Sequence, residues 1–507
     1  MLPPSTLDQM PDAFVQLWQQ VEDDILRDVA RRIGKMDKVT PTANWQLWRY
    51  QQTEALRNDV VKLLAKYSGK SETAIRKLLL QAATEAMERE DAIYYHYGME
   101  PTPFEENAAL NNLLDAGARQ TCGTWQNLTA TTANTVTGAF ELTLDAAWLK
   151  VSTGAFDYKT AVKQAVDSLA DEMPMVTYPS GHKDSIEVAA RRAVLTGVNQ
   201  TGAKLQEARM DEMGASFVEV TAHGGARPSH AVWQGRRYHR GGAVDYLGQH
   251  YEDFESATGY GTGAGLCGWN CRHTFFVVFP ELGSPPAWTQ ESLEALNARD
   301  IEHDGRLYTR YEISQMQRAR ERAVRKWKRR YLAEDAAGAD TTASAVRLRQ
   351  ARQSLADFTR ATGGRVDSAR TSVHGFGRSE GSKASYAARK QERFNAANTE
   401  LQQMREAGTI KAKGRLIESP SAPNEINFAS DHVLQRWAER GMGPMDAERI
   451  IRSSKVAMSQ RNGTQTCYYS ELGFVAIGQD GNVSSIGPLD EGGKKLMEVV
   501  KKHGIPH

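Results

Sequence analysis

At Gly214 the chain changes texture, and no single regular architecture absorbs both sides of that change. Before it, apolar residues recur at three- and four-residue spacing, the pattern of helices buried along one stripe. Phe14, Leu17, Trp18, Val21, Ile25 and Val29 form one such stripe, with Gly34 as its stop. Thr40-Pro41 offers an N-cap and a proline at the first helical position, and Trp45, Trp48, Leu56, Val60, Leu63, Leu64 and Tyr67 follow up to a stop at Gly69. Ser71 then caps a further helix with Ile75, Leu78, Leu79 and Ala82 inward. Residues 120–140 are threonine-rich and weak in helix propensity, so they read as irregular or bent. Asp184 and Glu187 have capping-box spacing, which predicts a helix running to about Met213.

After Gly214 the run 217–221 (FVEVT) reads as a strand. Residues 222–286, dense in Gly, His, Trp, Tyr and Phe, read as a compact loop-rich unit with short strands. Helix returns over 287–335, and 336–423, rich in Ala, Gly, Ser, Thr and Arg, reads as a flexible basic linker. A last unit, 424–507, has a small α+β pattern: a helix capped by Ser430 and ending at Gly441, a short helix from Pro444, and strands over 464–470, 473–479 and 482–487. Asp480-Gly481 is a two-residue hairpin signal, and a basic helix (491–502) follows. The fold class is therefore a mainly α N-terminal body with a small loop-rich α+β domain, plus a separate small α+β domain at the C-terminal end. A chain of 507 residues needs several such cores.

Bulk properties exclude more than they specify. With 63 Lys+Arg against 62 Asp+Glu, uniform basic coating of nucleic acid is excluded, although charge can still segregate locally. Four cysteines cannot form a disulfide framework, which points to a reducing compartment. No run approaches the roughly 20 apolar residues of a membrane helix. The start lacks the basic and apolar regions of a secretory signal, so a chain made in a cytoplasm, with no membrane partner, is expected.

The chemistry-bearing residues concentrate in 222–279. His223, Arg227, His230, Trp233, Gln234 and Gly235 are followed by Gly259, Gly261, Gly265, Cys267, Asn270, Cys271, Arg272 and His273. Two readings stand. Cys267, Cys271 and His273, with His230 or His223, could ligate zinc tetrahedrally, although Cys-x3-Cys-x-His is an unusual ligand spacing. In the other reading the segment is a structural knot. Arg227, Asn270 and Arg272 satisfy loop carbonyls and the glycines supply positive φ, with no metal and no cofactor. Gly-x-Gly in 258–268 is no phosphate loop, because Gly-Lys-[Ser/Thr] is missing. Cys122 and Cys467 read as buried small hydrophobes.

GARPSHAVWQGRRY followed by TGYGTGAGLCGWNCRH resembles the hallmark of the phage minor capsid protein 2 family, relatives of Mu F-like head morphogenesis proteins. The likeness extends over about 1–380 and is tightest at 185–285. It implies a virion protein at the portal vertex, made in a bacterial host, that acts in head assembly and in DNA packaging or ejection. Its partners would be the portal protein, other head proteins and phage DNA. Residues 1–184 would be the portal-proximal helical domain and 185–286 the signature domain, with Arg227, His230, Trp233, Gly235, Asn270, Cys271, Arg272 and His273 as fold signature and no catalytic role.

Within 306–330, Arg318, Arg320, Arg322, Arg325, Lys326, Lys328, Arg329 and Arg330 could neutralise phosphates; the same helix could also simply be solvated or paired with acidic neighbours. At the C-terminal end, His432, Arg436 and Arg440 fall at i, i+4 and i+8 on one helix face. They could supply an acid or base and the cations of metal-free RNA cleavage, with Ser484 and Ser485, and Tyr468 or Tyr469, holding a phosphate oxygen. The helix–sheet–helix pattern resembles small nucleases of the barnase–EndoU–colicin–RelE type, which implies a toxin-like ribonuclease acting on host RNA. The alternative is an appendage that binds nucleic acid or a partner without cutting. No second strong acid or base is evident.

Overall fold

The computed structural model describes residues 1–36, 42–153, 155–172, 176–178, 181–418, 426–428, 434–435, 437 and 439–505. It divides into two compact units, Met1–Arg378 and Ser379–His507.

The first unit begins with α1 (Pro4–Gln9), α2 (Asp12–Gly34), α3 (Thr42–His96), α4 (Ala108–Ser152), α5 (Tyr158–Glu172), a two-residue pair β1 (Val176–Thr177) and β2 (Lys183–Asp184), and α6 (Ile186–Met213). The loop-rich stretch holds β3 (Phe217–Val220), α7 (Pro228–Ala231), β4 (Arg237–His239), β5 (Val244–Tyr246), β6 (Gln249–Tyr251), α8 (Phe254–Thr258) and β7 (Phe275–Val277). Then come α9 (Gln290–Asn297), the hairpin β8 (Arg299–His303) and β9 (Arg306–Thr309), α10 (Arg310–Ala336), α11 (Thr342–Ala361) and α12 (Ser368–Thr371).

The expected stripe of α2 is buried, and Trp18 at its centre meets Trp125 of α4 edge-on at 4.3 Å. The expected break at Gly69 does not occur: α3 runs through it for 55 residues. Leu64, Ile75 and Leu79 are buried on either side, so one continuous packing register outweighs the propensity cost of one exposed glycine. Ser71 is no cap. Its hydroxyl is buried, donates to the Tyr67 carbonyl (2.6 Å) and accepts from the Trp18 indole (3.0 Å). The threonine-rich stretch, expected to be irregular, lies inside the 45-residue α4. The helix itself satisfies the hydroxyls: Thr121 donates to the Gly117 carbonyl (2.8 Å), Thr132 to Leu128 (2.9 Å) and Thr137 to Ala133 (2.7 Å). Helix α6 is capped by Ser185, one residue past Asp184, and ends at Gly214 with φ +66°.

The loop-rich stretch carries a three-stranded antiparallel sheet in the order β4-β3-β7. Val218, Val220, Trp233, Tyr238, Phe254, Leu266, Phe275 and Val277 form its core, together with Tyr94 of α3 and Ala203 and Met210 of α6. Residues 336–423 are not a linker without structure. Helix α11 buries Leu348, Leu355 and Phe358, the short α12 follows it, and the long helix after that, Arg378–Glu406, belongs to the second unit.

That second unit comprises α13 (Arg378–Glu406), β10 (Arg415–Glu418), α14 (Pro444–Ser453), β11 (Val456–Gln460), β12 (Gln465–Ser470), β13 (Gly473–Gly478), β14 (Val483–Gly487) and α15 (Glu491–Lys502). Its five strands form an antiparallel meander in sequence order. Alternation along the strands sends side chains to two cores. On one face Met458, Cys467 and Tyr469 meet Phe394 and Leu401 of α13 and Leu496 and Val500 of α15. On the other, Ala457, Tyr468, Val475 and Ile486 meet Trp437 and Ile450. The unit thus starts well before the expected boundary at 424, because α13 and β10 complete its core and its sheet. The expected Ser430 cap lies outside the described residues.

Candidate metal centre

Three of the four candidate ligands converge. His230 Nδ1 lies 3.4 Å from His273 Nδ1, and Cys271 Sγ lies 3.7 Å from the first and 3.6 Å from the second. All three side chains are buried. His230 comes from the one-turn helix α7, started by Arg227 in extended conformation and Pro228 at the first helical position. Cys271 and His273 come from the segment entering β7, and Asn199 of α6 holds that segment by donating to the carbonyls of Cys271 and His273, both at 3.0 Å.

Cys267 is not part of the cluster. Its thiol donates to the His273 carbonyl at 3.6 Å. Both Cys267 and Asn270 have left-handed backbone (φ +57° and +54°), which turns the chain so that the two thiols take different surroundings. His223 stacks on His273 with ring centroids 4.4 Å apart. Burial pulls His230 down to about 4 and His273 well below the usual imidazole range, so both rings are neutral near pH 7. Burial pushes both thiols up.

The rest of the expected signature braces loops. Arg227 donates to the Trp269 carbonyl (2.9 Å), Arg272 pairs with Asp8 (2.9 Å), and buried Trp233 lies against His230 and His273. Gly235 has φ +67°, and a Cβ there would meet Leu293 at 2.4 Å. Beside the cluster is a cavity of about 180 Å³, lined also by Arg227, Arg272, Tyr311 and Arg318. Sequence reasoning missed Asn199 and Asp8. A lone asparagine on the buried face between Val198 and Ala203 was the available signal for the first; nothing marked the second.

The basic set of 318–330 is largely engaged inside the unit. Arg329 meets Glu22 (2.8 Å), Asp23 (2.7 Å) and Glu187 (3.7 Å), and Arg325 pairs with Glu187. Arg330 bonds Asp167 and Asp171, Lys326 meets Asp171 (3.1 Å), and Lys328 donates to the Thr371 carbonyl (2.5 Å). Arg320 covers the Phe358 ring, and half-buried Arg318 lines the cavity. Of the eight, Arg322 and Lys326 are exposed. The physical reason is that α10 packs on α2, α5 and α11, so its cations face the carboxylates of α2, α5 and α6.

In the second unit, His432 and Arg436 lie outside the described residues. Arg440 donates to the Ile486 carbonyl, Ser485 is half-buried opposite Ala476, and Tyr468 and Tyr469 are buried on opposite faces of the sheet.

Comparison with known proteins gives the class: a phage structural protein. The family described as Phage minor capsid protein 2 matches residues 2–360, and the chain belongs to it. A protein of Lactococcus phage LL-H described as "Structural protein" is 24% identical over 360 residues, covering 67% of this chain and 92% of its own length. No solved structure matches. The family match ends before the second unit begins. No helix among the described residues is long and apolar enough to cross a membrane.

Proposed function

We propose that this minor capsid protein, made in the host cytoplasm, docks at the portal vertex through the end of its α3–α4 hairpin and supports head assembly and DNA packaging there. The observation that carries this reading is exposed apolar surface on long helices. Leu47 (59% exposed), Tyr50 (63%), Leu142 (73%) and Leu149 (57%) gather at one end of the hairpin, where Trp45 stacks on Trp148 and Arg49 pairs with Asp145. Exposed apolar clusters mark contact surfaces. At 1.5 Å per residue the 55 residues of α3 reach about 80 Å, a length suited to bridging neighbours in a shell. The double variant Leu47→Glu, Leu142→Glu should keep its tryptophan fluorescence and helicity yet fail to enter heads of the phage that encodes it. Normal incorporation and head yield would refute the docking surface.

The second unit we read as an appendage that binds a partner or nucleic acid and does not cut it. Both sheet faces are covered, and each described member of the expected catalytic set, Arg440 and Ser485, sits in the frame of the fold. The full chain should leave a mixed RNA pool intact between pH 5 and pH 8. Cleavage abolished by His432→Ala would replace this reading with the ribonuclease one.

A further inference from the structure

We propose that His230 Nδ1, Cys271 Sγ and His273 Nδ1 hold a zinc ion, which staples α7 to the segment entering β7 and keeps a fourth coordination position toward the adjoining cavity.

The first argument is distance. Zinc binds nitrogen at about 2.0–2.1 Å and thiolate sulfur at about 2.3 Å, tetrahedrally. Those bond lengths place two nitrogens roughly 3.3–3.4 Å apart, and nitrogen and sulfur roughly 3.5–3.6 Å apart. The separations in this protein are 3.4 Å for the nitrogens, and 3.6 and 3.7 Å for sulfur. Three corners of a zinc tetrahedron are therefore in place.

The second argument is tautomeric and independent of the first. His230 Nε2 faces the Ala264 carbonyl at 2.9 Å, an acceptor only, so that nitrogen carries the proton. His273 Nε2 faces Gln234 Oε1 at 2.9 Å, and the same oxygen accepts from the His223 backbone N–H at 3.0 Å, which fixes which amide atom is oxygen. Both imidazoles thus donate outward from Nε2, and both Nδ1 lone pairs point into one buried gap. The Cys271 thiol can donate to one of them and leaves the other unpaired, which is costly in a buried site. A cation satisfies both lone pairs and the sulfur together. Outward Nε2–H bonds to carbonyl oxygens are the arrangement that orients metal-bound histidines.

Soft sulfur with two imidazoles selects zinc over magnesium or calcium, which take oxygen. Binding breaks the S–H bond and releases that proton to solvent as the thiolate–zinc bond forms; no redox change is involved. Of the cations lining the cavity, Arg272 is paired with Asp8, Arg227 donates to the Trp269 carbonyl, and Arg318 stands beside them, so the open position faces a basic pocket. Water or a small anion from the cavity would complete the shell.

The test uses the full chain without a polyhistidine tag, purified without chelator. Elemental analysis should find one zinc ion per chain. Replacement by cobalt should give a thiolate-to-cobalt charge-transfer band in the near ultraviolet and tetrahedral bands in the visible. Cys271→Ser should abolish the charge-transfer band, and Cys267→Ser should keep it, because that thiol lies outside the cluster. A wild-type protein that carries no zinc and takes up no cobalt would overturn the assignment, as would a thiolate band that persists in Cys271→Ser. If Cys271→Ser does not fold, the wild-type spectrum and the Cys267→Ser variant decide the matter.

Discussion

Arg329→Met separates a basic helix that grips DNA from one that braces the fold. The Arg329 guanidinium meets three carboxylates, of Glu22, Asp23 and Glu187, and all four side chains are largely withdrawn from solvent. Removing it leaves those three groups to Arg325, which pairs with Glu187. Breaking a buried ion pair from one side costs about 3–5 kcal/mol, because the remaining charges stay desolvated, and methionine restores volume but no charge. The cost should depend on pH. Burial raises Glu22 above the usual carboxylate range, and Arg329 opposes that rise. A raised folded-state value favours folding below it, and that contribution is lost as pH climbs through it. Without Arg329 the value rises further, so the variant should lose most stability near pH 8 and less near pH 5. Urea unfolding followed by tryptophan fluorescence reads the first unit, since Trp437 alone of the ten tryptophans lies beyond Arg378. Arg322→Gln, on an exposed residue, is the control. A variant within about 0.5 kcal/mol of wild type at pH 8, as for an ordinary surface change, with a weakened and less salt-dependent hold on DNA, would refute the bracing role.

Two further outcomes follow from the helices and the sheet. Gly69→Ala should raise stability by about 0.5–1 kcal/mol in the same urea assay, because the site is a helix interior and an added Cβ meets nothing within 4 Å. Fragment 379–507 should fold cooperatively by circular dichroism and fragment 420–507 should not, because the shorter piece lacks Phe394, Ala397 and Leu401 of the core and the strand Arg415–Glu418.

Where the sequence pattern and the packing asked for the same thing, the fold was legible. The stripe of α2, the strand at 217–220 and the last three strands of the second unit follow from period and turn chemistry, and Asp480-Gly481 sits in the turn between β13 and β14; β10 and β11 were not expected. Where one local signal stood alone, it misled. Gly69 and the threonines of α4 carry low propensity, but long-range packing keeps both helices continuous, and back-bonding to the preceding turn satisfies the hydroxyls. The alanine- and serine-rich 336–423 looked unstructured because small residues leave weak stripes. Those residues are what let α13 bury Ala384, Ala388 and Ala397 closely.

The site divides the same way. Residue types at 223–273 announced a His/Cys cluster, yet the spacing Cys-x3-Cys could not say which thiol joins it. That choice is made by two left-handed residues, Cys267 and Asn270, whose backbone only the folded loop reveals. The basic helix poses the same problem in charge. Cations on every side of 306–330 have no preferred outward face, so the direction of each is set by where carboxylates from other elements arrive. Those carboxylates, Glu22, Asp23, Asp167, Asp171 and Glu187, are scattered through three helices far away in sequence, each unremarkable alone. A net charge of +1 was the one global hint, because a chain with as many acids as bases can pair its cations internally. Charge runs in a neutral chain are therefore better read first as internal struts, and as binding faces only when the structure leaves them uncovered.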